Sequence, residues 1–218
     1  MATAFTYTYS RGQYRDDGVR ITHGPNAPGM ASKDGNKRSV DPDGFDPQCD
    51  EVGAGIYGGN VRREANGTIV IGRQYQNHNA RPGPVYAGTG YSEMSQALHK
   101  GSQAVQALLA RQPTLAHEVS TGGATPLHMC GMSARNQLST ALLIAAGGDV
   151  EAEDTYGFRP LHRMASNNLA VGAKALIEAG AGVNARVGPS GGHTPLRIAT
   201  QVEAREVMKM ILEAGGRL

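Results

Sequence analysis

The residues of this chain whose types could do chemistry are scattered rather than gathered. Seven histidines and two cysteines lie in 218 residues. A metal site needs Cys or His at ligand spacing. His23, His78, His99 and His117 each stand alone, and Cys49 and Cys130 match neither a metal spacing nor a disulfide framework. His128 and His162 each follow Pro-Leu, and His193 lies just before a Thr-Pro-Leu. No nucleophile, base and acid lie together in sequence. Cys130 falls where an apolar core is expected, and such a site disfavours the thiolate. No catalytic residue and no metal ligand is assigned, and the chain reads as a non-enzyme.

Two short patterns suggest a ligand. Gly53-Ala54-Gly55-Ile56-Tyr57-Gly58 has G-x-G-x-x-G spacing. A dinucleotide loop needs a strand before it, a helix opening in it and an acid about twenty residues on. None of these is legible here, so the stretch reads as a turn and no cofactor is assigned. Asn66-Gly67-Thr68 fits the N-glycosylation pattern. A hairpin turn explains the same three residues.

The elements that position these residues are repeats. Thr125-Pro126-Leu127-His128 is followed 34 residues later by Arg159-Pro160-Leu161-His162, and 35 later by Thr194-Pro195-Leu196-Arg197. Gly147, Gly180 and Gly215 recur at 33 and 35. Proline suits the first position of a helix, because it has no N–H to leave unpaired. The preceding threonine can cap it. Glycine ends a helix in the left-handed conformation. Leu127, Leu161 and Leu196 are expected to face inward. The second helices carry apolar stripes at Val105/Leu108/Leu109, Leu138/Leu142/Leu143, Ala173/Leu176/Ile177 and Val207/Ile211/Leu212. No such unit buries its apolar face alone, so neighbours must stack.

The stretch 154–185, with the motifs at 125–128, 146–150, 159–162 and 179–185, resembles the ankyrin repeat family. The resemblance covers about residues 91–218. It implies a mostly α fold: a solenoid of about four helix-pair units, the first of them degenerate. Arg159 stands in place of the family's threonine and Arg197 in place of its histidine, so those two helix starts are expected to be looser or to face a ligand. Residues 187–191 form an insertion. The last unit has no polar cap, which predicts that Val207, Met208, Met210 and Ile211 are exposed unless something covers them.

Residues 1–90 read as an extended arm rich in glycine, proline and tyrosine. Seven of the eight tyrosines lie at 7, 9, 14, 57, 75, 86 and 91. Asn66-Gly67 between β-branched runs predicts a hairpin over 61–71 with a type I′ turn. A lone hairpin is marginal in water, so it must lean on the helices or on a partner. Residues 74–90 read as a linker.

A net charge of +2 gives no footprint for nucleic acid. No apolar run is long enough to span a bilayer, so peripheral membrane association would come only through a partner. Residues 1–30 hold no signal-peptide core, and an intracellular location, cytoplasm or organelle interior, is expected.

The resemblance places a protein partner on the turn tips and the exposed side of the first helices. Carried onto this chain, that surface is Thr121, Ala124, Met132, Ser133, Thr155, Tyr156, Phe158, Ser166, Asn167, His193 and Gln201, with Tyr156 and Phe158 as anchors. Arg159, Arg163 and Arg197 would add a basic strip. Phe5, Tyr7, Tyr9, Tyr14 and Tyr57 are the expected arm contacts. The function expected is an adaptor or scaffold subunit of a stable assembly. Two alternatives stay open: an arm that binds a small cofactor or substrate with the repeats as docking handle, and a free regulatory inhibitor of a partner.

Overall fold

The computed structural model describes residues 57–72, 81–187 and 192–218. Expectations for Phe5, Tyr7, Tyr9, Tyr14, Cys49 and most of the 53–58 glycine pattern lie outside these residues.

Among the described residues eight helices follow one another in four pairs. They are α1 (Glu93–Lys100) with α2 (Ser102–Arg111), α3 (Pro126–Cys130) with α4 (Thr140–Ala145), α5 (Pro160–Ser166) with α6 (Ala170–Glu178), and α7 (Pro195–Gln201) with α8 (Arg205–Glu213). A proline at the first position opens α3, α5 and α7. The Thr194 hydroxyl accepts from the Arg197 N–H at 3.2 Å and caps α7.

Three of the second helices end alike. Gly147, Gly180 and Gly215 have φ of 88°, 89° and 84°. The residue after each glycine donates back to the helix: Gly148 to Leu143 at 2.8 Å, Ala181 to Leu176 at 2.9 Å and Gly216 to Ile211 at 2.7 Å. This is the left-handed closure that the glycine spacing predicts.

Each first helix packs on the next first helix, α1 on α3, α3 on α5 and α5 on α7; each second helix packs on the next second helix, α2 on α4, α4 on α6 and α6 on α8. Leu127, Leu161 and Leu196 are buried between them. So are Val105, Leu108, Leu143, Ala173, Leu176, Val207 and Ile211. Each large side chain of this set contributes roughly 1.5–3 kcal/mol. Two expectations are corrected. Leu138 is exposed because it lies in a 3-10 turn (Asn136–Ser139) ahead of α4, out of phase with that helix. Val207 and Ile211 are fully buried, since α8 turns its apolar stripe onto α6 and α7 rather than outward.

The front of the described chain is a small sheet. Strand β1 (Gly59–Val61) pairs antiparallel with β2 (Tyr86–Tyr91). The hairpin lies between them in sequence: Arg63 bridges Ile69, and Glu64 N–H donates to Thr68 O at 2.8 Å. Its turn is not type I′. Gly67 has φ of 87°, but Asn66 keeps a negative φ and its Oδ1 accepts from the Thr68 N–H at 2.9 Å. That is the three-residue form, a type I turn closed by a left-handed glycine. The 74–90 linker reading is corrected over its described part, 81–90. Val85 N–H donates to Val70 O at 2.9 Å, Arg62 N–H donates to Val85 O at 2.7 Å, and β2 follows.

Candidate functional site

The two Pro-Leu-His histidines have a structural task that fixes their tautomer. His128 Nδ1 accepts from the Thr125 N–H at 3.2 Å, and its Nε2–H donates to Phe158 O, one pair further on, at 2.7 Å. His162 repeats this: Nδ1 accepts from the Arg159 N–H at 3.3 Å, and Nε2–H donates to Ala185 O at 3.1 Å. Both rings are neutral Nε2–H forms. Burial lowers the pKa of both, His162 to about 4. Neither is placed to bind a metal. Arg197, at the corresponding position of the fourth pair, is exposed.

Asp154 organises the turn before α5. Its Oδ1 accepts from the Tyr156 and Phe158 N–H groups, both at 2.9 Å. Its Oδ2 accepts from the Arg163 guanidinium, whose Nε lies 3.2 Å away. The two charged side chains are 0% and 8% exposed. The guanidinium carbon lies 4.6 Å from the centroid of the Phe158 ring and 5.4 Å from that of Tyr57. A buried cation thus sits between a carboxylate and two aromatic faces, each of which stabilises it.

Tyr57 reaches this cluster because residues 57–59 run over the first helices. Gly58 O accepts from the Ser92 N–H at 3.1 Å, at the start of α1. Gly59 N–H donates to Thr121 Oγ1 at 2.8 Å. A Cβ on Gly58 would stand 2.9 Å from Ser95 Oγ of α1 and 3.4 Å from Met129 Sδ of α3. Further along, Gly83 lies on the Thr155 side chain at the next turn, so close that a Cβ there would run into it. The front segment therefore covers both the inner helices and the turns of the second and third pairs.

This placement corrects much of the expected partner surface. Phe158, named as an anchor, is fully buried, its ring edge-on to His162 at 6.1 Å. Thr121, Ala124, Arg163, Ser166 and Asn167 are buried as well. Thr121 holds Gly59, and Asn167 donates to Gly131 O of the preceding pair at 2.7 Å. The basic strip does not form. Arg163 is paired with Asp154, and Arg159 bridges Glu151 and Glu153. Glu151 in turn accepts from the Gly182 N–H at 2.6 Å, which ties this turn to the next. Arg197 and Gln201 are exposed, and Met132, Ser133, Thr155, Tyr156 and His193 partly so. His193 exchanges backbone hydrogen bonds of 3.0 and 3.1 Å with Val187, which closes the inserted loop at its base.

A cleft of about 510 Å³ opens between the hairpin and the turns. Ile69, Ile71, Pro84 and Val119 line it, together with Thr125, Asp149 and Glu153. Among the described residues no three His, Cys, Asp or Glu side chains converge on a metal position, and no helix is long and apolar enough to cross a membrane. Cys130 is buried beside Thr140, and burial pushes its thiol up to about 12.

Sequence reasoning missed the Asp154–Arg163 pair, although an Asp opening a turn that ends in Gly157 is a turn signal. It missed the role of Thr121 altogether. Comparison with protein-family models gives no match to this chain, and comparison with curated proteins gives none either.

Proposed function

We propose that this chain is a non-catalytic protein-binding module, an ankyrin-type stack of four helix pairs that serves as an adaptor or scaffold subunit of a larger assembly. The observation that carries this reading is the interlock between consecutive pairs. His128 and His162 each lie in the first turn of a helix and each donate to a backbone carbonyl of the pair that follows. A repeated unit bonded only to its neighbours is the design of an extended stack, and such stacks work by presenting surface. The side chains suited to chemistry support the same reading, because His128, His162, Asp154 and Arg163 are engaged within the chain. The surface left for a partner centres on Arg197 and Gln201 of α7, with the partly exposed Met132, Ser133, Tyr156 and His193 on other parts of the stack. Native capture from the source cell, read by mass spectrometry, tests this with the double variant Arg197→Glu, Gln201→Ala. Recovery of the main partner should fall about tenfold, the equivalent of 1.4 kcal/mol. Unchanged recovery of every partner would refute this surface.

The second reading, a small ligand bound by the arm, has the cleft in its favour. Ile69, Ile71, Asp149 and Glu153 all line a volume in the range of ligand sites. A ligand with an apolar body and a cationic end would fit it. A small molecule that co-purifies and is lost in Ile71→Asp would favour this reading over the first.

A further inference from the structure

The inner helices α3 and α5 are buried along their whole length. Part of what covers them is the chain's own Tyr57-Gly58-Gly59, and each of the three residues is read by a different feature. The Tyr57 ring lies on the Arg163 guanidinium, 5.4 Å from its centroid. Gly58 has φ of 85°, and a Cβ there would stand 2.9 Å from Ser95 Oγ, so the position takes glycine on two grounds, backbone conformation and space. Gly59 is held by its N–H on the Thr121 hydroxyl. The fit is incomplete at one point. The Tyr57 hydroxyl is enclosed with the Arg163 guanidinium beside it, yet makes no hydrogen bond of good geometry among the described residues. An unmade bond of this kind weakens the hold of an occupant.

We propose that the inner face of the first three helix pairs is a binding site for an aromatic-Gly-Gly segment whose first glycine is left-handed, and that Tyr57-Gly58-Gly59 is a resident occupant that a partner segment of the same chemistry displaces. The partner is thus a protein with an exposed aromatic-Gly-Gly stretch able to take that turn. An aromatic residue supplies the face that Arg163 needs. Only glycine follows it without strain. The third residue needs no more than a backbone N–H. The resident segment competes because it is tethered at high effective concentration, so the face opens only to a partner that binds in excess or engages a second surface. This inference rests on the reading of the chain as a protein-binding module and names what its inner face takes.

The test uses the full chain and a fluorescein-labelled peptide with the sequence of residues 54–62, with a control peptide in which Tyr57 is replaced by Ala. Fluorescence anisotropy is read against wild type, Gly58→Ala and Tyr57→Ala. Both substitutions weaken the resident segment and change no residue of α1, α3 or α5. The expected result is at least tenfold tighter peptide binding to either variant than to wild type, and loss of binding with the control peptide. Equal binding to all three chains, or none to variants that keep their helical circular dichroism, would overturn the proposal. Loss of helical structure in both variants would overturn it too, because residues 57–59 would then belong to the folding core. If the peptide fails while Arg197→Glu, Gln201→Ala still loses its partner, this inference falls and the binding-module reading stands.

Discussion

Asp154 divides its work between its two oxygens. One orders the turn through Tyr156 and Phe158, and the other neutralises Arg163. Removing the carboxylate leaves a buried cation without its partner. Asp154→Ala should therefore lower the unfolding free energy by about 3–5 kcal/mol, measured by urea denaturation. His162 makes the chain sensitive to acid. Its folded pKa of about 4 lies below the ordinary 6.5. Above pH 6.5 both states are neutral and the ring adds no pH dependence. Between 6.5 and about 4 the unfolded chain takes up a proton that the folded chain refuses, so stability is lost as pH falls through this window and levels off below it. The loss should reach about 3 kcal/mol, and His162→Gln should flatten that part of the stability profile. Cys130 is the opposite case, a thiol kept out of use. Enclosed and pushed up to about 12, it should react with a disulfide reagent only at the rate at which the chain opens.

At the scale of elements, what the sequence reveals and what it conceals divide along contact range. The proline starts and glycine stops were legible because they depend on one residue and its nearest hydrogen bonds. Leu127, Leu161 and Leu196 were legible because a repeated position keeps its burial. Leu138 was not, since a short 3-10 turn shifts the helical phase and leaves no mark in the apolar spacing. Phe158, Thr121 and Asn167 were misplaced for another reason. Spacing says that a residue lies on a turn or an inner helix, but not what lies on top of it. Part of the cover comes from the front segment, where Gly58 and Gly83 read as loop yet bring the backbone close enough to dock on α1 and on the turn at Thr155. Two glycines separate these effects experimentally. Gly131 faces Arg163 of α5 so closely that a Cβ would collide with it, whereas Gly180 faces open space and has φ of 89°. Gly131→Ala should cost about 1–3 kcal/mol through the contact between α3 and α5. Gly180→Ala should cost about 1–2 kcal/mol through its backbone alone.

The described residues form a row of helix pairs, each packed on its neighbours, with a front segment laid over the inner side of the first three. In such a row, local stability follows position, because a middle pair has two neighbours and an end pair has one. The front segment, bound to the row by a few hydrogen bonds and one ring, should open before any pair does. Residue-resolved native hydrogen exchange tests this account most directly. Amides of α5 and α6 should be the most protected, those of α7 and α8 less so, and the Gly59 amide should exchange sooner than all of these. Protection at Gly59 equal to that of α5, or α7 and α8 outlasting α5 and α6, would contradict it.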